Sequence, residues 1–211
     1  MKPNKLRARQ QQGFTLIELM VVLTVLGVMM AFAAPNFREY KRNSALNNTT
    51  NMLVSSIYRT RTEAMKEGAP AILEPTSGND WTGGWRIYID RDLSDSYTGG
   101  DDIVAEQSGD EIPSDYLTIT NSSADGFVKF NSAGFPRKKA AKPGKGGVAA
   151  VINAGAGFGA LTLTVKRTEE GKEGERYIRQ VIVSSAGRVR SCRPDTDADC
   201  PVPGGGGGGN S

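Results

Sequence analysis

Residues 14–34 form an unbroken apolar run whose only charge is Glu18. At about 1.5 Å per residue, such a run covers roughly 31 Å as a helix, the depth of a bilayer's hydrocarbon core. Pro35 follows. It is expected to kink the helix or unwind it locally, because it removes one backbone donor and crowds the preceding turn. Beyond it the pattern becomes amphipathic. Leu46, Leu53, Ile57 and Ala64 recur at spacings of seven, four and seven, so they share one helical face. Gly68 followed by Pro70 is a stop signal. The pattern predicts one long helix from about Phe14 to Glu67, apolar in its first half and packed on a sheet in its second.

After Pro70 the apolar positions fall into short alternating runs broken by glycine. These predict strands near 71–73, 85–90, 103–106, 116–120, 127–131, 148–152, 161–167, 176–183 and 187–192. Hairpins covered on one face by a helix make an α+β fold: a long N-terminal helix carrying a β-rich globular head. Trp81 and Trp85 flank Gly83-Gly84 at a strand entrance and read as core or rim aromatics rather than a stacking site for a ligand.

Composition narrows the function. A chain of 211 residues suits one globular domain plus extra segments. It has no histidine, which excludes a Ser-His-Asp triad, a Cys-His pair and a His-Glu-x-x-His zinc site. Two cysteines alone do not make a structural zinc site. No paired carboxylates or activated nucleophile stand out, so the chain does not read as an enzyme and no cofactor is expected.

Charge is strongly segregated. Residues 1–13 carry four basic side chains and no acidic one. Residues 80–126 hold two basic against eleven acidic residues, whereas 127–193 hold fourteen basic against four acidic. Anion binding must therefore rest on a local patch, because the net charge of the whole chain is only +3. The basic residues before the apolar run keep the N-terminus in the cytoplasm and send the remainder across the membrane. A secretory signal peptide cleaved near Ala31, Ala33 and Ala34 is the competing reading of this segment.

Gly13-Phe14-Thr15-Leu16-Ile17-Glu18-Leu19 resembles the processing signature of type IV pilins and type II secretion pseudopilins. The resemblance implies that prepilin peptidase cleaves between Gly13 and Phe14 and that Phe14 is then N-methylated. It also implies that Glu18 pairs with the free N-terminus of a neighbouring subunit during assembly. A lone carboxylate in a membrane helix costs about 2.5 kcal/mol or more, so a partner is needed. Further stretches resemble the GspH/FimT family of minor pilins and pseudopilins: Ala34-Pro35-Asn36-Phe37, Arg61-Thr62-Glu63-Ala64-Met65-Lys66-Glu67-Gly68, Gly84-Trp85-Arg86-Ile87-Tyr88-Ile89-Asp90, and Val183-Ser184-Ser185-Ala186-Gly187-Arg188-Val189-Arg190. The family fold implies a head built of two sheets.

The chain then divides into a removed basic leader (1–13), a transmembrane and filament-core helix (14–35), an amphipathic helix of the head (36–68), a β-rich periplasmic head (69–193), and a disulfide loop with a flexible glycine-rich tail (194–211). The implied protein is a minor pilin held in the bacterial inner membrane, single-pass, before incorporation into a type IV pilus or a similar filament. Its partners are other pilins, prepilin peptidase and the inner membrane. The alternative is an H-type pseudopilin of a type II secretion system, working without DNA.

Gly187-Arg188-Val189-Arg190 is the sharpest binding candidate. In a strand, Arg188 and Arg190 share one face at about 6.6–6.8 Å while Val189 turns to the core. Two guanidinium forks at that spacing suit backbone phosphates. In DNA-uptake members of the family a Gly-Arg-x-Arg motif near the C-terminus is associated with DNA binding. The resemblance therefore implies that Arg188 and Arg190 bind double-stranded DNA, with Arg193 adding charge. The competing reading pairs these arginines with the acidic 80–126 region or with a neighbouring pilin. A second basic cluster, Arg137, Lys138, Lys139, Lys142 and Lys145, reads first as a solvated loop, and Lys138 and Lys139 are the members placed nearest a DNA footprint.

Asp90, Asp92, Ser94, Ser96, Thr98 and Asp101 fall at the alternating positions of a calcium loop. Asp95 stands where that loop needs glycine and strands flank it, so an exposed acidic hairpin is favoured over a metal site at Asp90, Asp92 and Asp101. Cys192 and Cys200 are expected to form a disulfide if the head is extracytoplasmic. Gly155-Ala156-Gly157-Phe158-Gly159 lacks the following helix of a dinucleotide site, and Lys145-Gly146-Gly147 lacks the rest of a phosphate loop.

Overall fold

The structure, a computed structural model, describes residues 13–123, 125–138, 159–169, 171 and 174–201, without the side chains of 33–36. The leader to residue 12, the expected strand at 148–152, Lys139, Lys142, Lys145, the glycine motifs at 145–147 and 155–158, and the tail from 202 lie outside these residues. Two compact units divide the chain, Met1–Arg42 and Asn43–Ser211, and helix α1 (Leu16–Glu67) contributes to both.

In the first unit α1 exposes its apolar side chains, among them Leu16, Ile17, Leu19, Met30 and Phe32. Among the described residues no single helix is long and apolar enough to cross a membrane. Leu16–Phe32 and Phe37–Glu67 pass together, as a bent pair, by length and composition.

In the second unit the four positions picked out by spacing, Leu46, Leu53, Ile57 and Ala64, are all fully buried. They pack against the inner faces of two antiparallel sheets. One has the order β3-β2-β1-β5-β6 and the other β4-β7-β8-β9. The strands of the first are β1 (Ala71–Ser77), β2 (Asp80–Ile89), β3 (Asp102–Ser108), β5 (Val128–Phe130) and β6 (Pro136–Arg137). The second holds β4 (Leu117–Asn121), β7 (Leu161–Arg167), β8 (Ile178–Val183) and β9 (Val189–Cys192). Alternation fixes the faces: Leu161, Leu163 and Val165 of β7 meet Val181 and Val183 of β8 in one core with Leu73, Val128 and Phe130 of the first sheet. Trp81 and Trp85 are both about 1% exposed in that core, inside β2 rather than at its entrance. Among the described residues the buried core side chains lie at or beyond Leu46, so the second unit carries a core of its own.

The acidic segment after β2 joins the antiparallel β2 and β3 and is mostly exposed, as expected of an acidic hairpin, but two of its carboxylates are not. Asp90 is fully buried, Asp95 is 5% exposed, and both accept from the Lys129 ammonium of β5. The loop closes over the outer face of the first sheet, where Tyr97 meets Tyr88 edge-on at 5.4 Å and the Arg86 guanidinium lies 4.6 Å from the Tyr97 ring. Burial, with Glu74 beside it, pushes the Tyr88 hydroxyl pKa well up. The cause of the fold-back is electrostatic: Ile72 pairs with both Tyr88 and Lys129, so a half-buried cation sits one strand away from the loop. Lys129→Met strips both carboxylates of that cation and should cost about 3–5 kcal/mol, read as a lower urea midpoint of the head. Adding Asp90→Asn and Asp95→Asn should restore most of it; a single variant as stable as the parent would refute this account.

Candidate functional site

At the N-terminal end, Gly13 and Phe14 precede the helix, and Phe14 is 86% exposed. Thr15 and Glu18 form a reciprocal cap. The Thr15 hydroxyl accepts from the Glu18 N–H at 3.3 Å, and the Glu18 carboxylate accepts from the Thr15 N–H at 3.5 Å. The Thr-x-x-Glu spacing of this cap lies inside the processing signature. It gives Glu18 an intrachain partner at the first turn of α1.

The arginine motif lies on the β8–β9 hairpin. Ser184 and Arg188 close a three-residue loop through Ser184 N–H to Arg188 O at 2.9 Å and Gly187 N–H to Ser184 O at 2.8 Å. The strand begins at Val189, so Arg188 belongs to the turn rather than to the strand expected from 187. Val189 is buried while Arg188 is exposed and Arg190 half-buried, which keeps both arginines off the core. Gly187 takes φ +78°, and a Cβ there would sit 2.5 Å from the Gly134 carbonyl oxygen. Helix α1 holds the same hairpin from below. Arg61 Nη1 donates to Gly187 O at 3.0 Å and Tyr58 Oη to Val189 O at 2.9 Å. The glycine of the motif is therefore a packing requirement that fixes where the two arginines stand.

Arg190 finds its ion-pair partner outside the acidic 80–126 region. The Cys192–Cys200 disulfide forms, and its loop brings the Asp197 carboxylate and the Asp199 carbonyl back onto Arg190 and the Asp195 carboxylate onto Arg193. Arg190 Nη1 meets Asp197 Oδ2 at 3.2 Å and Arg190 Nη2 donates to Asp199 O at 2.6 Å. Arg193 grips Asp195 with both Nε and Nη2, at 3.1 and 2.7 Å, and that contact holds the Asp195 carboxyl below the usual carboxylate range. Of the three arginines Arg188 alone makes no ion pair among the described residues.

Lys138 is exposed beside β6, and its neighbour Lys139 is outside the described residues. Asp90, Asp92 and Asp101 do come together, with one carboxylate oxygen of each within 4.8 Å of the others. Those carboxylates also accept from their own loop: Ser94 N–H donates to both Asp90 and Asp92, and the Thr98 N–H and hydroxyl donate to Asp101. The lowered Asp92 pKa has the same origin, the Ser94 side chain and N–H.

Two buried arginines were missed. Arg167 is fully buried at the end of β7, bonded to Glu169 at 2.5 Å and Asn43 at 2.9 Å. Arg179 is 9% exposed and donates to Asn47 at 2.9 Å, and burial lowers its pKa. The signal was available, since Arg167 continues the inward alternation of Leu161, Leu163 and Val165. Asn43 and Asn47 stand one helical turn apart to receive the pair.

The family model described as type II transport protein GspH matches residues 49–187, and the one described as the prokaryotic N-terminal methylation motif matches residues 8–34. Pilin-like protein PilA1 of Thermus thermophilus is 26% identical over 182 residues, covering 85% of this chain and 97% of that protein. Type II secretion system core protein G of Vibrio cholerae serotype O1 is 30% identical over 132 residues, or 57% of this chain and 87% of that protein. The crystal structure of the Pseudomonas aeruginosa type IV minor pilin FimU aligns with a TM-score of 0.48 and 15% identity, over 75% of this chain and 93% of that one.

Proposed function

The chain belongs to the GspH family, and from that membership we propose a minor pilin of a type IV pilus that captures double-stranded DNA through Arg188 and Arg190. Pilins and pseudopilins are structural subunits rather than enzymes, and the N-terminal methylation motif marks this one for membrane anchoring and assembly. In this reading prepilin peptidase removes residues 1–13, and Phe14 becomes the methylated N-terminus. The segment from 14 to 35 holds the subunit in the inner membrane with the head in the periplasm. On assembly Glu18 exchanges its Thr15 contact for the terminal amine of a neighbouring subunit.

One observation carries the DNA reading. Gly187-Arg188-Val189-Arg190 sits on a hairpin whose backbone is fixed by Arg61, Tyr58 and the Gly134 carbonyl. Two arginines carried on a fixed backbone lose less freedom on meeting a phosphate backbone than two on a loose loop. The test is fluorescence anisotropy of the head, residues 43–211, on a short DNA duplex at two salt concentrations. Arg188→Gln with Arg190→Gln should weaken binding about tenfold and flatten the log–log salt slope by about 2. Equal affinity for parent and double variant would overturn the assignment of these two residues.

A second reading has its own support. The 30% identity to a type II secretion core protein favours a pseudopilin of a secretion filament. A head that folds, forms its disulfide and ignores DNA at low salt would favour that reading.

A further inference from the structure

The segment that follows the arginine motif is itself an anion laid against it. Residues 187–201 contain Arg188, Arg190 and Arg193 but also Asp195, Asp197 and Asp199, so the hairpin end carries no net charge. The loop is ordered by its own bonds. Asp197 N–H donates to Arg193 O at 2.9 Å, Cys200 N–H to Asp197 O at 3.0 Å, and Asp199 N–H to Asp197 Oδ1 at 3.0 Å. The disulfide ties its far end to β9, and both cysteines are buried. Both terminal nitrogens of Arg190 and one whole edge of Arg193 are thereby occupied.

We propose that the Cys192–Cys200 loop is a built-in competitor for the phosphate-binding arginines, which makes the site selective for a polyanion over a single anion. This inference rests on the reading of Arg188 and Arg190 as DNA contacts. Arg188, the one without an ion pair among the described residues, makes first contact. A phosphate already held there brings its neighbours on the same strand up to Arg190 and Arg193, where they displace Asp197 and Asp195. Those two ion pairs are partly solvent-exposed, with side-chain exposures of 35% and 37% for Arg190 and Asp197, and 45% and 22% for Arg193 and Asp195. Pairs in that setting are weak enough to be exchanged. An isolated phosphate has no tethered neighbour and does not win the exchange, whereas a duplex gains from counterion release at each contact.

The test compares heads of residues 43–211 on the same duplex. Asp195→Asn with Asp197→Asn should tighten binding about tenfold. A charge-matched control, Glu106→Gln with Asp115→Asn, changes two exposed acids on β3 and the β3–β4 connection and should tighten it by no more than about twofold. Inorganic phosphate at millimolar level should weaken duplex binding of the Asp195/Asp197 variant by a larger factor than that of the parent. Cys192→Ser with Cys200→Ser, which unties the loop, should move affinity the same way. If both acid variants gain equally, the effect is bulk charge and the competitor is overturned while the DNA reading stands. If no variant binds duplex, the DNA reading itself fails. If the parent binds and the Asp195/Asp197 variant is no tighter, only the competitor is lost.

Discussion

A chain carrying Gly13→Val is expected to stay at its precursor mass, heavier than the parent product by the whole leader of residues 1–13. The proposed cut lies between Gly13 and Phe14, and both are exposed and stand outside α1. A Cβ built on Gly13 meets nothing within 4 Å, so the substitution disturbs no packing in the subunit. Loss of processing would then report recognition by the peptidase rather than misfolding. Intact mass or an immunoblot of cells expressing prepilin peptidase reads the first effect, and sheared filament fractions read the second. The head's thermal midpoint should not move. Because an unprocessed chain has no free amine on Phe14, Glu18 would have no partner in the next subunit, and incorporation should fall to background. Normal processing of the Gly13→Val chain would remove the cleavage assignment, and with it the role proposed for Glu18.

Local physics was easy to read in this chain, and long-range physics was not. Leu46, Leu53, Ile57 and Ala64 are fully buried because helical spacing alone puts them on one face. Strand β7 has the bounds that alternation gave it, since inward and outward residues differ sharply there. Sheet order is another matter. β1 pairs with β2 next to it in sequence but also with the remote β5, and no local pattern names that partner. The acidic segment shows the same limit in electrostatic form. Its carboxylates look like a solvated hairpin until Lys129 arrives from a strand that is remote in sequence. The arginine patch shows it again. Counting charge over 127–193 gives a strongly basic region, but the disulfide folds the next three aspartates onto it, so a boundary drawn along the sequence misjudges the patch. Gly187 was legible as part of a motif, though its reason, close approach to Gly134 and Arg61, needed the fold.

Gly84→Ala should leave the head unfolded or nearly so. Gly84 pairs with Ser108 across β2 and β3 and takes φ +99°, a region that costs an L-residue about 1–2 kcal/mol before any contact is counted. An added Cβ would lie 2.3 Å from Gln107 O and 2.8 Å from Gly109 N. Both are backbone atoms, so no side chain can swing aside to make room. The facing glycine is equally committed, since a Cβ on Gly109 would meet the Gly83 backbone at 2.6 Å. Relief requires β2 and β3 to part at the point where Trp81 and Trp85 enter the core, with ring centroids 6.4 Å apart. Exposing either indole forfeits roughly 3 kcal/mol of burial on top of the strain. The total should exceed about 4 kcal/mol, a large share of the roughly 5–15 kcal/mol that holds a domain of this size. Alanine at the neighbouring Gly83 is the natural comparison, because its Cβ would come no closer than 3.7 Å to Asp80 O. Urea unfolding followed by tryptophan fluorescence should find the Gly83 variant near the parent and the Gly84 variant unfolded or nearly so. Similar midpoints for the two would mean that the β2–β3 approach yields more readily than its backbone geometry implies.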